Sequence, residues 1–369
     1  MIDLLCLFNP GAMNFRHVML NDLADKGLNI AVALPSDDIV IWQSQCPKIQ
    51  FIPFEAFSGT SIGLLNNVKT FSSINNLLKK AKPNAVFFGN VKPNIYGGIV
   101  AHRLGIKNIY GLISGLGYAF IDEPGLKRAL VKKICMLLYK ISFKHFTHVF
   151  FQNSDDRDFF ICHKMIKAEH SSVVNGTGVD LQVFQEKPVP KQLTFFMAAR
   201  LIKEKGVFHY AEAAKVLKQK YPNVHFVLAG NIDTNPSAIT EEQLQQCAEF
   251  LEYQGYCKNM VQAINNCSVF IYPSYYREGV PRALLEALAC GRPVITTDEV
   301  GCKEAVIDQE NGFKITSRNT ASLIDAIERF IQTPSLVAEM GHKSRSLAED
   351  KFDIHKINEA IWNKIKERV

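Results

Sequence analysis

Two cations, Arg200 and Lys205, and two glutamates, Glu278 and Glu286, are the residues whose types and spacing bear most directly on chemistry. Arginine offers a planar fork to two phosphate oxygens and lysine a mobile point charge, so the pair can neutralise a diphosphate. The plainer alternative is a solvated basic turn paired with Glu204. Residues 272–293 read as strand, loop and a sharply bounded helix, with Pro281 in the first turn, Gly291 just past the end and Pro293 blocking continuation. Gly279, Val280 and Arg282 surround that helix start, whose N–H groups form a site for a diphosphate facing Arg200 and Lys205. Glu278 lies in the loop and Glu286 inside the helix, so the two carboxylates do not form one acid pair. They serve different parts of one ligand.

The elements that must position these groups alternate strand and helix. Apolar segments at 4–8, 30–34, 49–53, 85–88 and 149–152 are followed in the second half by 194–199, 225–229, 269–272 and 294–297. This predicts an α/β protein with two Rossmann-like parallel sheets, each covered by helices. Ligands then bind outside the carboxyl ends of the strands. The polar, proline-bearing stretch 185–191 reads as a linker. The expected first domain is therefore 1–186 and the second 187–352, with a final helix over 353–369 packing back on the first. The loop after the first strand, Asn9-Pro10-Gly11-Ala12-Met13-Asn14, carries one glycine that could let backbone approach a ligand. The three-glycine dinucleotide fingerprint is absent, which disfavours a dehydrogenase. Arg16 and His17 beside this loop are possible phosphate or substrate contacts; for His17 a helix-start role is the alternative.

At 369 residues, 47% hydrophobic and 21% charged, the chain is long enough for two globular domains. Residues 1–8 lack a basic n-region and read as a buried strand, with no secretory signal visible. No run of about 18 apolar residues predicts a spanning helix. The nine cysteines are scattered and never stand as Cys-x-x-Cys, which suits reduced cytoplasmic thiols and no metal site. Part of the +6 net charge sits in residues 125–148, where Lys127, Arg128, Lys132, Lys133, Lys140 and Lys144 interleave with Leu126, Leu130, Ile134, Leu137, Leu138 and Ile141. This basic amphipathic helix suits anionic headgroups at a membrane surface. A core-packed helix with a solvated basic face is the alternative. Aromatics are not interleaved as single-stranded nucleic acid binding would require.

Glu278 and Glu286 in an E-x7-E arrangement, after an R-x4-K-G element at Arg200, Lys205 and Gly206, resemble the retaining family 4 glycosyltransferases of GT-B fold. Gly176-Thr177-Gly178-Val179-Asp180 with Phe184, and Asp298 through Gly301 and Glu304 ahead of Asn311-Gly312, extend the resemblance over nearly the whole chain. It implies that Arg200 and Lys205 hold the donor diphosphate, Glu286 the ribose and Glu278 the transferred sugar, while Tyr256 and Cys257 border the nucleobase. Gly11 would give the donor close access from the first domain on closure of the interdomain cleft. The resemblance further implies a nucleotide-sugar donor, UDP-linked, and no requirement for a cofactor or metal. Asp156-Arg157-Asp158 matches the Asp-x-Asp metal signature of another glycosyltransferase fold, but Asn153 with Asp156 three residues on reads as a helix start.

A narrower resemblance rests on Lys92-Pro93-Asn94-Ile95-Tyr96-Gly97, on Ser114-Gly115-Leu116-Gly117-Tyr118-Ala119-Phe120-Ile121-Asp122, and on Asp233-Thr234-Asn235-Pro236-Ser237. These are similar to bacterial enzymes that add N-acetylgalactosamine α-1,3 to a sugar on undecaprenyl diphosphate in O-antigen or protein glycosylation. The resemblance implies a lipid-linked saccharide acceptor, contacts from Gly115 and Gly117, and peripheral association with the cytoplasmic face of the inner membrane. A UDP-sugar 2-epimerase on the same architecture, and a non-catalytic membrane- or glycan-binding protein, are the readings from other classes.

Overall fold

The structure is a computed structural model that describes residues 1–9, 11–55, 64–117, 120, 125–233 and 237–368, with 64–66 and 127 described by their backbone alone. Pro10, Tyr118, Ala119, Ile121, Asp122, Thr234, Asn235, Pro236 and the Lys127 side chain, all used above, lie outside the described residues. The chain divides into two units, Met1–Thr177 with Ile354–Val369, and Gly178–Asp353.

The first unit is built on β1 (Leu4–Leu7), β2 (Ile30–Leu34), β3 (Gln50–Pro53), β4 (Ala85–Gly89), β5 (Asn108–Ile113), β6 (His148–Phe151) and β7 (Ser171–Val173). Their order is β3-β2-β1-β4-β5-β6-β7 and the pairs are parallel. Strands covered on both faces must be apolar throughout, which is why Leu-Leu-Cys-Leu and Ala-Val-Phe-Phe run without alternation. Leu5, Val86 and Val149 pack into one core, and Leu4, Phe87 and Phe150 into another. The C-terminal helix Ile354–Ile365 joins the second of these through Ile357, Ile361 and Ile365. Asp22 holds it further, receiving His355 Nδ1 at 2.9 Å and Asn358 Nδ2 at 2.7 Å.

The second unit comprises β8 (Thr194–Ala198), β9 (His225–Ala229), β10 (Glu252–Tyr253), β11 (Val269–Tyr272), β12 (Val294–Thr297) and β13 (Gly312–Ile315), in the order β10-β9-β8-β11-β12-β13. In each sheet the strand order reverses once, between β1 and β4 and between β8 and β11. β5, β7, β10 and β13 are additions to the strands read from sequence.

The units part at Thr177 and Gly178, ahead of the expected boundary at 186/187. The physical reason is that Val179 and Phe184 are buried in a core of the second unit, with the Val179 N–H donating to the Phe352 carbonyl at 2.8 Å, while the residues that follow are fastened by Arg292. Its side chain is wholly buried and donates to the carbonyls of Lys187 (3.0 Å), Pro188 (3.3 Å), Ile264 (3.2 Å) and Asn265 (3.0 Å). Arg345 adds a bond to the Phe184 carbonyl at 2.9 Å. The stretch read as a free linker is thereby fastened to the second unit.

The basic helix runs over Leu126–Phe143 and buries Tyr139, Ser142 and Phe143. Leu126, Leu130, Ile134, Leu137 and Ile141 are exposed and do not pack into a core.

Candidate functional site

The reversal between β8 and β11 brings two loops side by side at the carboxyl edge of the second sheet. After β8, a single 3-10 turn at Lys203–Lys205 ends on Gly206, whose φ of 81° is left-handed. A Cβ at Gly206 would stand 2.3 Å from the Pro273 carbonyl oxygen, so only glycine lets the loops close this far. Tyr275 N–H (2.8 Å) and Ser274 Oγ (3.3 Å) both donate to the Glu204 carbonyl and fix the approach.

That closure places Lys205 Nζ 2.5 Å from Glu278 Oε1 and 2.6 Å from the Tyr272 hydroxyl. Tyr272 in turn donates to Glu278 at 3.1 Å, and Ser274 Oγ, its single proton shared with the Glu204 carbonyl, stands 3.2 Å from the same carboxylate. The lysine ammonium also lies 5.0 Å and 5.4 Å from the rings of Tyr272 and Tyr276. Lys205 is 3% exposed and Glu204 5%, so this is no solvated basic turn. A buried ion pair offsets its desolvation only when further hydrogen bonds satisfy it, and here Tyr272 and Ser274 supply them. Burial, followed by the Glu278 charge, pushes the Tyr272 phenol well above its ordinary value. It therefore stays protonated, accepting from Lys205 and donating to Glu278.

Arg200 stands at the mouth of the same site, its Nη1 2.8 Å from Asp233 Oδ2 and its guanidinium 6.0 Å from the Tyr276 ring. Burial pulls its pKa down, but Asp233, with Tyr276 and Glu278 behind it, outweighs this and raises it above the ordinary value. A cavity of about 370 Å³ opens beside it at the ends of β8 and β9, lined among others by Gly230, Asp233, Tyr256, Cys257 and Met260. Tyr253 OH donates to the Gly230 carbonyl at 2.8 Å and holds this wall.

The helix after the Glu278 loop is Arg282–Ala289. Pro281 is its cap, in extended backbone, one residue before the first turn in which it was expected. The loop after β12 backs this start: a Cβ at Gly301 would lie 1.8 Å from the Gly279 carbonyl oxygen, which requires glycine there. Val280 is buried. Glu286 is 7% exposed and receives Arg282 Nε at 2.7 Å. Burial raises its carboxyl pKa, and Arg282 only partly opposes that. The two glutamates thus have separate partners: Lys205, Tyr272 and Ser274 for Glu278, Arg282 for Glu286.

The structure gathers Arg200, Lys205, Tyr256, Cys257, Glu278, Gly279, Val280, Arg282 and Glu286 on the carboxyl edge of the second sheet. Gly11 follows β1, and Gly115 and Gly117 follow β5, in the first unit. Arg16 is buried in the helix Met13–Asp25, and His17 bonds the Met13 carbonyl and stacks on Trp42 at 5.1 Å, a packing role. Asn153 caps the helix Ser154–Cys162 through the Asp156 N–H at 2.8 Å, which buries Asp156. Tyr272, Ser274 and Asp233 received no role from the sequence. A tyrosine ending a buried strand needs a partner for its hydroxyl, and that was the available signal for Tyr272.

Two doubly wound units, one with a buried cation–carboxylate cluster at its switch point, define the GT-B class of sugar-transferring enzymes. The chain belongs to the glycosyltransferases: residues 179–347 match the family described as "Glycosyl transferases group 1" and residues 5–153 that described as "Glycosyl transferase 4-like". It is 29% identical over 337 residues, 88% of this chain and 87% of the relative, to N,N'-diacetylbacillosaminyl-diphospho-undecaprenol alpha-1,3-N-acetylgalactosaminyltransferase of Campylobacter jejuni subsp. jejuni serotype O:2. It is 27% identical over 315 residues, 80% and 78% of the two chains, to UDP-Gal:alpha-D-GlcNAc-diphosphoundecaprenol alpha-1,3-galactosyltransferase of Escherichia coli. Anabaena HepE, solved with UDP and glucose, has the same fold with a TM-score of 0.78 at 19% identity, covering 99% of this chain and 100% of that one. Sucrose-phosphate synthase from Thermosynechococcus elongatus gives 0.80 at 16% identity, covering 99% and 98%.

Burial of Glu286 gives a signed expectation. A carboxyl whose folded-state pKa is raised disfavours the folded state above that pKa, and the penalty vanishes once both states are protonated. Glu286→Gln, which keeps an acceptor for Arg282, is expected to stabilise the fold at neutral pH, with the gain shrinking as pH falls toward 4.5. Denaturant unfolding across that range checks it; destabilisation at neutral pH would mean that the Arg282 pairing outweighs burial.

Proposed function

We propose that this glycosyltransferase moves N-acetylgalactosamine or another N-acetylhexosamine, with retention, from a UDP-sugar to a polyprenyl-diphosphate-linked saccharide in the assembly of a cell-surface glycan or glycoprotein. The observation that carries the donor half is the Lys205–Glu278 pair beside Arg200 and a cavity of about 370 Å³. A uracil and ribose occupy that cavity between Tyr256, Cys257 and Met260, with Glu286 accepting from the ribose hydroxyls. The diphosphate lies between Arg200, Lys205 and the N-terminus of the helix Arg282–Ala289. Departure of the nucleoside diphosphate concentrates negative charge on its leaving oxygen, and fixed cations with a helix N-terminus stabilise that charge at the moment it forms. Glu278, held by Lys205, Tyr272 and Ser274, receives the hydroxyls of the transferred sugar. These fixed charges supply the electrostatic stabilisation without a metal ion, so transfer proceeds in EDTA.

The acceptor half draws on the names of the two relatives, both of which act on saccharides linked to undecaprenyl diphosphate, and on the helix Leu126–Phe143. Its exposed residues recur at 126, 130, 134, 137 and 141, the spacing of one helical face, with exposures of 93%, 60%, 48%, 58% and 40%. Lys133, Lys140 and Lys144 are exposed alongside. An apolar stripe bordered by cations suits the interface of an anionic bilayer. Among the described residues no helix is long and apolar enough to cross a membrane, so docking of this helix would be peripheral, at the cytoplasmic face of the inner membrane.

Incubation with a panel of UDP-sugars and a short-chain polyprenyl-diphosphate N-acetylhexosamine, in EDTA, should give a product longer by one sugar. Glu278→Gln should lower the rate at least about 100-fold in protein that still folds, with a lower melting point because Lys205 is left buried without its counter-charge. Donor consumed without acceptor, or a variant as active as the wild type, would overturn the assignment. For the helix, Lys133→Gln with Lys140→Gln should weaken binding to phosphatidylglycerol vesicles by about tenfold or more, and Leu130→Ser with Leu137→Ser should do the same. Undiminished binding in both would assign the stripe to a protein partner.

A further inference from the structure

Two adjacent tyrosines in the loop after β11, Tyr275 and Tyr276, have no part in the proposed function and have different neighbours. The Tyr275 ring lies 4.6 Å from the Arg318 guanidinium and meets the His209 ring nearly at right angles, with centres 6.4 Å apart. His209 belongs to the helix Val207–Lys220, and its Nδ1 bonds Thr320 Oγ1 at 2.7 Å, at the start of the helix Thr320–Gln332. The Tyr275 N–H is spent on the Glu204 carbonyl, and the Tyr276 N–H donates to Ser274 Oγ at 3.2 Å. The backbone that carries the Tyr276 ring is therefore pinned at both tyrosines, and the first of them is gripped by side chains from two other segments.

The ring so placed lies under both cations of the crevice, 5.4 Å from Lys205 Nζ and 6.0 Å from the Arg200 guanidinium. Their carboxylate partners are separate, Asp233 for Arg200 and Glu278 for Lys205, whereas the Tyr276 ring is common to the two. A carboxylate neutralises the cation it holds. An aromatic ring attracts a cation through the negative face of its π system and carries no net charge, so the cation keeps its full charge for an anionic ligand. Arg200 has the greater need of such a hold, because its side chain is 54% exposed against 4% for Lys205. An exposed arginine loses rotamer freedom when it binds, and a ring that confines it beforehand lowers that cost.

We infer that Tyr276 is a positioning residue of the donor site: its ring holds Arg200 and Lys205 at the spacing in which both meet one diphosphate. The inference rests on the diphosphate reading proposed above and adds the side chain that arranges the two cations before the ligand arrives.

Calorimetric titration of UDP and of uridine into Tyr276→Phe, and into the same variant with one, two or three fluorines on the introduced ring, tests it. Fluorine withdraws electron density from the π face with little change in size, so it weakens the hold on a cation and leaves the packing in place. UDP affinity should fall stepwise with fluorination, by about three- to tenfold over the whole series, while uridine affinity stays constant and reports an intact fold. Tyr276→Leu, which has no ring, should lose at least as much. A constant UDP affinity along the fluorinated series, whatever Tyr276→Leu does, overturns the positioning role alone, as does an equal loss for uridine, which would put the ring against the base. A wild type that binds UDP no more tightly than uridine overturns the diphosphate reading beneath it as well.

Discussion

Everything at the candidate active site depends on one topological constraint, the reversal of strand order between β8 and β11. Strands on either side of such a point send their connections to opposite faces of the sheet, which leaves a crevice at their carboxyl ends. Here the crevice is drawn tight by Gly206 against the Pro273 carbonyl and by two hydrogen bonds to the Glu204 carbonyl. The consequence is a lysine and a glutamate, 73 residues apart in sequence, in direct contact and largely out of water. Such a pair is stable only while its surroundings satisfy it. Tyr272 and Ser274 do so, and they also hold the Glu278 carboxylate in one orientation.

The first sheet repeats this topology with different chemistry. Its switch point, between β1 and β4, is furnished with the amides of Asn9, Asn90 and Asn94 in place of a buried ion pair.

Much of this was legible in the sequence, for definable reasons. Central strands such as Leu4–Leu7 and Val269–Tyr272 are covered on both faces and so read as unbroken apolar runs. Glu278, Glu286, Arg200 and Lys205 were recognisable because fixed spacing around one strand end and one helix start survives in the linear order. Some strands were not: Glu252–Tyr253 is two residues long, Ser171–Val173 is partly polar, and the central Asn108–Ile113 opens on a polar residue and contains a glycine. The burial of Lys205 was also hidden, since it depends on partners 67 and 73 residues away. The same holds for the unit boundary, because 185–191 has the composition of a linker, whereas Val179 and Phe184 before it are buried in the second unit and Arg292, more than 100 residues on, fastens Lys187 and Pro188. On the basic helix, periodicity defined the apolar stripe but not the direction it faces, and the structure turns it outward.

The central claim is that the Lys205–Glu278 crevice beside Arg200 receives a diphosphate. Calorimetric titration of UDP and of uridine into the wild type and into the Lys205→Met/Glu278→Gln double variant, which removes both charges and so leaves neither buried alone, tests it most directly. The account predicts that UDP affinity falls by about tenfold or more while uridine affinity is unchanged, since only the diphosphate meets the missing charge. Equal UDP affinity in the two proteins would contradict it.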